Sequence, residues 1–290
     1  LGSASVPEND DVDLWGVNVA YNWGGSKNLQ SETYAFWREN GSDAGVESLT
    51  ASNTVVSAEN NSDRTITLGT RATLEPIERL FVAGEVAWQM GRKWFSDGAT
   101  NAELRDREAF AFQALGQYAL NMKYDPIATV VFSHYSGDKD YAVTAKQSYT
   151  AWDPMFEDQA GGKLYNALFS ATNSNTLDVK VGVTPMEDVK LSVEYAVLWL
   201  DEALASQTGA SQVSWTPNDY TSAYTVNVGK TDLGQEVDLV LSYDYTEDVQ
   251  FGLNTGVFMP GNVFSTISNG SDFPTQENAY QVIGSVKVAF

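Results

Sequence analysis

The chain has 290 residues, with 17 basic side chains against 38 acidic ones and a formal net charge of −21. This balance excludes a nucleic-acid binder, which needs cations to neutralise phosphates. The chain has no cysteine and a single histidine, His134. Disulfides, thiolate metal sites and a histidine-rich metal centre are therefore excluded. No run of about 18 apolar residues is present, which excludes a transmembrane helix.

Apolar and polar residues alternate with period two over stretches of about ten residues, the length of a membrane-spanning strand. The first stretch places Trp15, Val17 and Val19 on one face, with Asn18 and Ala20 on the other. The same alternation recurs along the whole chain and predicts an all-β, antiparallel, up-and-down fold. The eleven predicted strands lie near residues 12–23, 28–38, 64–74, 80–91, 108–119, 126–135, 174–184, 190–200, 233–245, 249–259 and 278–290.

The connections between these strands are alternately short and long. The long ones cover residues 39–63, 92–107, 136–173, 201–232 and 260–277 and are rich in Ser, Asn, Asp, Gly and Thr. A transmembrane β-barrel has short periplasmic turns at one end and longer extracellular loops at the other. A soluble sandwich has no reason to place every long loop at one end, so the pattern predicts a bacterial outer-membrane barrel.

This polarity also gives each strand a direction. The first strand would run inward, and the eleventh would end in the periplasm at Phe290. A complete bacterial barrel has an even number of strands with both ends periplasmic. We therefore expect residues 1–290 to be a single transmembrane barrel domain that is incomplete at its N-terminus, with further strands clipped away or supplied by a partner chain. A closed odd-stranded barrel is the alternative.

Several short motifs, in this order and spacing, resemble the C-terminal half of the alginate export family. They are Phe110 to Leu120, Pro126 to Phe132, Ser136-Gly137-Asp138-Lys139-Asp140, Asp153-Pro154-Met155-Phe156, Lys163-Leu164-Tyr165, Leu233-Gly234-Gln235-Glu236-Val237-Asp238-Leu239 and Phe258-Met259-Pro260-Gly261-Asn262. The resemblance covers the chain from about Val12 to Phe290. It implies an outer-membrane barrel of roughly eighteen strands, within the known size range. It also implies passage of a solute through the lumen, with alginate as the namesake cargo.

Aromatic residues near strand ends fall on the face predicted to contact outer-membrane lipid and lipopolysaccharide. Such rings prefer the headgroup level and form aromatic girdles; the alternative is core packing in a soluble barrel. The predicted girdle residues are Trp23, Trp37, Trp88, Trp199, Tyr243, Tyr245 and Phe290. A terminal aromatic on an alternating strand also resembles the signal read by the outer-membrane assembly machinery, so that machinery is an expected partner through Phe290. An ordinary last strand of a soluble sheet is the alternative.

The opposite face is predicted to line the pore. Its predicted pore-lining residues are Glu32, Arg38, Arg71, Glu85, Gln113, Asp178, Lys180, Glu194, Glu236, Asp238 and Lys287. These charges have two compatible interpretations: cross-strand ion pairs that brace the wall, or a lining that sets ion preference. A conduit for a polyuronate should present arginines, and Arg38 and Arg71 are the only arginines predicted on this face. The sequence thus favours passage of hydrophilic solutes, with saccharides as candidates, over passage of alginate.

The long loops carry three acidic clusters, at Glu8 to Asp13, Asp138 to Asp140 and Glu157-Asp158. Flexible carboxylates can bind Ca²⁺, but none of these clusters has EF-hand spacing, so solvated loops without a cofactor are the main prediction. The 136–173 loop is long enough to fold inward and constrict the pore. Its apolar stretch from Trp152 to Phe156 needs burial, either at the lumen mouth or against a neighbouring loop.

Three classes of function remain open from the sequence. The leading one is a passive outer-membrane channel, and the second is a structural barrel with a plugged lumen that binds partner proteins. The third is an outer-membrane enzyme using His134. By alternation His134 faces lipid near the outer rim, and no serine is paired with it by register, so we predict that the protein is not an enzyme.

Overall fold

The computed structural model describes residues 12–25, 27–40, 63–96, 102–138, 148–155, 162–205, 212–215, 224–264 and 277–289. Eleven strands form one antiparallel sheet in the order β1-β2-β3-β4-β5-β6-β7-β8-β11-β12-β13. Their bounds are β1 Val12–Gly24, β2 Leu29–Asn40, β3 Asp63–Ile77, β4 Leu80–Ser96, β5 Ala102–Ala119, β6 Ile127–Tyr135, β7 Ser174–Met186, β8 Val189–Trp199, β11 Asp232–Asp244, β12 Val249–Pro260 and β13 Ala279–Val288.

The structure confirms the all-β, up-and-down architecture and all eleven predicted strands. Two elements that the sequence did not predict lie in the long connections. Helix α1 (Lys163–Leu168) follows β6, and a small hairpin of β9 (Gln212–Trp215) and β10 (Tyr224–Asn227) follows β8. Strands β1 and β13 are the two edges of the sheet and are not paired with each other in the described part of the chain. The total number of strands in the closed barrel stays a prediction.

Burial on the two faces of the sheet is the reverse of that in a water-soluble protein. We call the face covered by residues 148–155 the inner face, and the opposite one the outer face. On the inner face, the polar side chains of Gln89 and Glu236 are 2% and 0% exposed. On the outer face, Val17 and Trp88 are 60% and 52% exposed. Polar groups inside and large apolar groups outside suit a sheet whose outer face contacts lipid.

Apolar packing on the inner face occurs where the β6–β7 connection covers the strands. Trp152 packs among three alanines of β4 and β5, with Tyr135 and Ala171 beside it; the alanines are Ala87, Ala109 and Ala111. A second cluster joins the α1 region to β8, β11 and β12; its largest members are Leu164, Tyr165, Phe169, Leu198, Leu233 and Phe258. Small side chains on β4 and β5 therefore leave space for the large Trp152 ring. The second cluster, by contrast, is built from large side chains of both the connection and the strands.

A β-bulge at the start of β11 changes the direction of one side chain. The register between β11 and β8 shifts between Asp232 and Gly234, and Gly234 has φ +130°. A Cβ at Gly234 would collide with the carbonyl oxygen of Met259. Leu233 belongs to the outer face by simple alternation, but it is buried in the second cluster, because the extra residue of a bulge shifts the alternation locally.

Strands β4 and β5 extend beyond their predicted ends. Their pairing continues to Ser96 and Ala102, past the predicted limits at 91 and 108. Over this extension charged residues interrupt the apolar outer face, because Arg64 of β3 lies opposite Arg92 of β4, and Arg92 lies opposite Asp106 of β5. The apolar Leu104 follows them on the same face, opposite Trp94.

Candidate pore lining and inward-folded loop

The strand register places all eleven predicted pore-lining residues on the inner face. Four adjacent strands carry one row, in which Glu32 lies opposite Arg71, Arg71 opposite Glu85, and Glu85 opposite Gln113. We call these four residues the Glu32 row. Arg71 has no ion pair within 4.0 Å in the described ranges, although it lies between two carboxylates. Its guanidinium thus remains open on the inner face.

A second row crosses strands β7, β8 and β11. Lys180 lies opposite Glu194, and Glu194 lies opposite Asp238. The Lys180 Nζ to Glu194 Oε2 distance is 3.8 Å, and the lysine is 45% exposed. A half-exposed pair of this kind contributes little to stability. Among the described residues, only this second row therefore contains an ion pair of the predicted bracing kind, and both rows present charge on the inner face.

The loop residue Asp153 binds three strands of the inner wall. Its carboxylate accepts a hydrogen bond from Arg38 Nη1 at 2.8 Å and another from Thr65 Oγ1 at 2.9 Å. Arg107 Nη2 lies 3.5 Å from the same carboxylate. Burial by itself would raise the pKa of Asp153, but Arg107, Arg38 and the Thr65 hydroxyl together lower that pKa below its ordinary value. Asp153 is therefore charged at neutral pH and neutralises the arginines around it.

Further bonds fix residues 148–155, which we call the inward segment. Gln89 donates from Nε2 to the Asp153 carbonyl and accepts from the Asp153 N–H, both at 2.8 Å. Tyr149 forms a parallel bridge to β5, with its N–H donating to Asp106 O at 2.7 Å. Burial raises the pKa of Tyr149 to about 12, so the phenol stays neutral at physiological pH. The sequence left two burial sites open for the stretch from Trp152 to Phe156, the lumen mouth and a neighbouring loop. The described part of this stretch, which ends at Met155, lies against the inner wall.

Two arginines of the inner face were missed from the sequence. Arg107 is 2% exposed, contacts Asp63 Oδ1 at 3.1 Å and lies over the Tyr149 ring at 5.2 Å. Lys93 Nζ binds the other Asp63 oxygen at 2.8 Å. Arg105, which is opposite Lys93 in the register, is also buried. The prediction that Arg38 and Arg71 are the only arginines on this face is therefore wrong, because β5 starts six residues earlier than predicted.

Helix α1 is held by two carboxylates of β11. The Leu164 and Tyr165 N–H groups donate to the two oxygens of Glu236 at 2.6 and 2.8 Å. The Lys163 N–H donates to Asp238 Oδ2 at 3.2 Å. These carboxylates accept the free amides of the first helical turn, as capping side chains do.

The eleven predicted pore-lining residues thus divide into two groups. Arg38, Glu236 and Asp238 hold the inward-folded connection, and Asp178 is 5% exposed beside Thr176. The others remain at least partly exposed on the inner face; they are Glu32, Arg71, Glu85, Gln113, Lys180, Glu194 and Lys287. Alternation identifies the face correctly, but it cannot show which residues a loop will cover.

The predicted girdle residues that the structure describes all lie on the outer face. Trp23, Tyr243 and Tyr245 lie at the end with the short turns, and Trp37, Trp88 and Trp199 lie toward the end with the long loops. Val189 pairs with Tyr243, and Trp199 is ten residues further along β8. At about 3.3 Å per residue and a tilt of about 40°, this separation is about 25 Å, the height of an outward apolar band. Phe290 lies outside the described residues.

His134 lies on the outer face, as its alternation predicts. Its Nδ1 is 2.8 Å from Asn175 Oδ1 and 3.6 Å from Asp201 Oδ1, and its ring packs against Phe112 and Phe110. The acidic clusters predicted as weak calcium sites lie mostly outside the described residues. Within the described ranges, no group of three or more His, Asp or Glu side chains could hold a metal ion, and no helix is long and apolar enough to cross a membrane.

A family model described as "Alginate export" matches residues 3–271. A search of curated proteins finds no match. Among solved structures, the chain is similar to the ferric-catecholate import receptor Fiu from E. coli K12 in its closed form, with 11% identity and a TM-score of 0.42. That alignment covers 95% of this chain and 48% of the receptor chain, so the present chain spans about half the receptor's length.

Proposed function

Because the chain belongs to the alginate export family of outer-membrane β-barrel proteins, we propose that it is a channel through which hydrophilic solutes cross along the inner face. Family membership supports a role in outer-membrane transport rather than an enzymatic one. The observation that carries the proposal is the reversed burial of the sheet, with charged rows inside and apolar side chains outside. Such a wall encloses a polar path through hydrocarbon.

The proposed orientation follows from the loops. Short turns at one end would face the periplasm, and the long connections at the other end would face the outside. The inward segment and α1 both belong to the connection between β6 and β7, and they would narrow the path from the extracellular side. Further strands, from a longer chain or a partner chain, would close the sheet between β13 and β1.

The two other expected partners remain proposals. Phe290 would be read by the outer-membrane assembly machinery at the end of the last strand. The outer-face side chains would contact lipid and lipopolysaccharide. A calcium ion in the acidic external loops is a weaker proposal that rests on composition alone.

A second candidate function is a structural barrel with a filled lumen. The observation in its favour is that the inward segment and α1 occupy the inner face, where Trp152 and Tyr165 are buried. Such a barrel would hold partner proteins in the outer membrane and pass no solute. The two candidates differ in one measurable property, which is conductance.

The test is single-channel conductance of the full-length purified protein in a planar bilayer under a salt gradient. A steady conductance is expected. Cation preference would indicate that the Glu32 row, with two acids and one base, sets the selectivity, because the exposed predicted pore-lining residues together carry three acids and three bases. Anion preference would support a polyuronate cargo, with the necessary cations on strands beyond those described. Silence at all voltages would overturn the channel and favour the filled barrel.

A further inference from the structure

A cavity of about 250 Å³ lies between the inward segment and the inner face of β1 to β4. Its charged side is formed by Glu32, Arg71 and Glu85, and its apolar side by Phe36, Trp152 and Met155. Ligand sites of drug-sized molecules are about 300–1,000 Å³. A cavity slightly below that range suits one ring-sized unit of a longer solute.

The charged side has an acid, a base and an acid on three adjacent strands. Neighbouring strands are about 4.8 Å apart, so a group that binds the Arg71 guanidinium lies within reach of both the Glu32 and Glu85 carboxylates. A ligand carboxylate at this position would meet two like charges, and like charges in close contact are unfavourable. Ligand hydroxyls, by contrast, can donate to both carboxylates and accept from Arg71.

The two carboxylates are positioned by neutral neighbours. The Tyr34 hydroxyl donates to Glu85 Oε1 at 2.5 Å, and Asn18 Nδ2 donates to Glu32. The Tyr34 ring lies over Gly69 of β3, where a Cβ would collide with it. The tyrosine therefore reaches across β3 to a carboxylate on β4. Groups fixed in advance in this way lose less freedom on binding.

The apolar side of the cavity offers aromatic rings. Trp152 is 6% exposed, and its Nε1–H has no hydrogen-bond partner among the described residues. This nitrogen has almost no accessible surface, so the ring itself is the part of Trp152 that a ligand in the cavity would contact. Rings such as Phe36 and Trp152 present large apolar surfaces against which a sugar ring can pack.

We infer that this cavity binds an uncharged saccharide unit and disfavours a uronate unit, an inference that rests on the channel function proposed above. Both polar and apolar faces of a sugar ring find partners here, whereas a sugar carboxylate meets Glu32 and Glu85. The cavity thus disfavours the carboxylate groups of alginate, the cargo for which the family is named.

The test compares block of the full-length channel by maltohexaose and by a hexameric oligouronate. Maltohexaose should reduce the current at concentrations at least tenfold lower than the oligouronate. Trp152→Ala should weaken block by maltohexaose about tenfold. Gln117→Ala, which lines a separate inner-face cavity, is the matched control and should leave block unchanged. Equal or stronger block by the uronate would overturn the inference.

Since Trp152→Ala could disturb the inward segment itself, a second variant acts only on charge. The double variant Glu32→Gln and Glu85→Gln should strengthen block by the oligouronate at least tenfold. An unchanged preference in this variant would also overturn the inference.

Direct binding separates this inference from the channel function. Calorimetric titration of the detergent-solubilised full chain with maltohexaose should show binding that the Trp152→Ala variant weakens. Binding without conductance would support the saccharide site while overturning the channel. Conductance without binding would overturn the saccharide site and leave the channel intact.

Discussion

The β6–β7 connection contacts the inner wall in two places, and the two contacts use different chemistry. At the inward segment, a single loop carboxylate, Asp153, meets arginines and polar groups that belong to the wall. At α1, the charges are on the wall, where Glu236 and Asp238 accept backbone N–H groups of the loop. Large apolar side chains surround only the second contact closely on both sides.

The two contacts should therefore be sensitive to different amino-acid substitutions. The first contact depends on the identity of one side chain, because Asp153 neutralises Arg38 and Arg107 together. The second depends on the wall residues and on packing, because any loop residue other than proline has a backbone N–H to donate.

Replacing Asp153 by alanine should release the inward segment. Removing one partner of a buried charge cluster costs about 3 kcal/mol, which corresponds to roughly a hundredfold more opening. Since the chain has no cysteine, an Ala151→Cys reporter would be its only thiol, and its labelling rate measures opening. Lys287→Ala is the control and should leave the rate unchanged. An unchanged rate in the Asp153 variant would show that packing, not charge, holds the segment.

Replacing Glu236 by alanine should loosen α1 alone. Two backbone donors would lose their acceptor, at a cost of about 2 kcal/mol. Hydrogen exchange of the peptide containing Leu164 and Tyr165 should accelerate roughly tenfold to thirtyfold, whereas the Ala151→Cys labelling rate should stay constant. Parallel release of both segments would contradict two independent contacts.

Replacing Gly234 by alanine should strain the bulge that directs Leu233 into the cluster around α1. The positive φ and the collision with Met259 should cost about 1–2 kcal/mol, measured as a lower denaturation midpoint in detergent. Gly284→Ala is the matched control, because nothing lies within 4 Å of its added Cβ. Equal midpoints for both variants would indicate that the bulge relaxes without cost.

Acid should weaken the inward segment only at low pH. The pKa of Asp153 is lowered from its ordinary value of 3.8, so its contribution is complete above about pH 5 and is lost as the pH falls below about 4. Acrylamide quenching of Trp152, obtained by difference from a Trp152→Phe variant, should be flat from pH 8 to pH 5 and rise only below about pH 4. A rise near pH 6 would implicate another group.

The smallest effect is expected at the Lys180–Glu194 pair. Lys180→Gln should change stability by less than about 0.5 kcal/mol, since the pair is long and half-exposed. The reversal potential under a salt gradient should shift toward cations, because one inner-face base is lost. A large loss of stability would assign this row a structural role instead.

The sequence predicted the strands well because alternation follows directly from the pleat of a strand. It failed at the ends of β4 and β5, since the outer-face signal there changes from apolar to charged at Arg92 and Asp106. These charges interrupt the apolar alternation, whereas the hydrogen-bonded ladder continues past them. Following the alternation of β5 from Ala109 back through Arg107 and Arg105 would have identified both arginines.

The remaining features had no periodic signal to reveal them. Helix α1 has six residues, too few for a 3.6-residue repeat to be recognised. The burial of Leu233 depends on a bulge, and the roles of Glu236 and Asp153 depend on contacts between residues 46 to 115 positions apart. Such contacts follow from the path of a loop, and a single sequence does not specify that path.

The β6–β7 connection also has a mechanical consequence. The connection joins two neighbouring strands at the middle of the sheet. One part of it contacts β2 through Arg38, and another part contacts β12 through Phe258. One covalent segment therefore acts as a crosslink between halves of the sheet that, in the part of the chain that the structure describes, are otherwise joined through successive strand ladders. A sheet braced in this way resists being peeled apart strand by strand, and we expect its central block to persist as a unit even while its two edges are still unpaired.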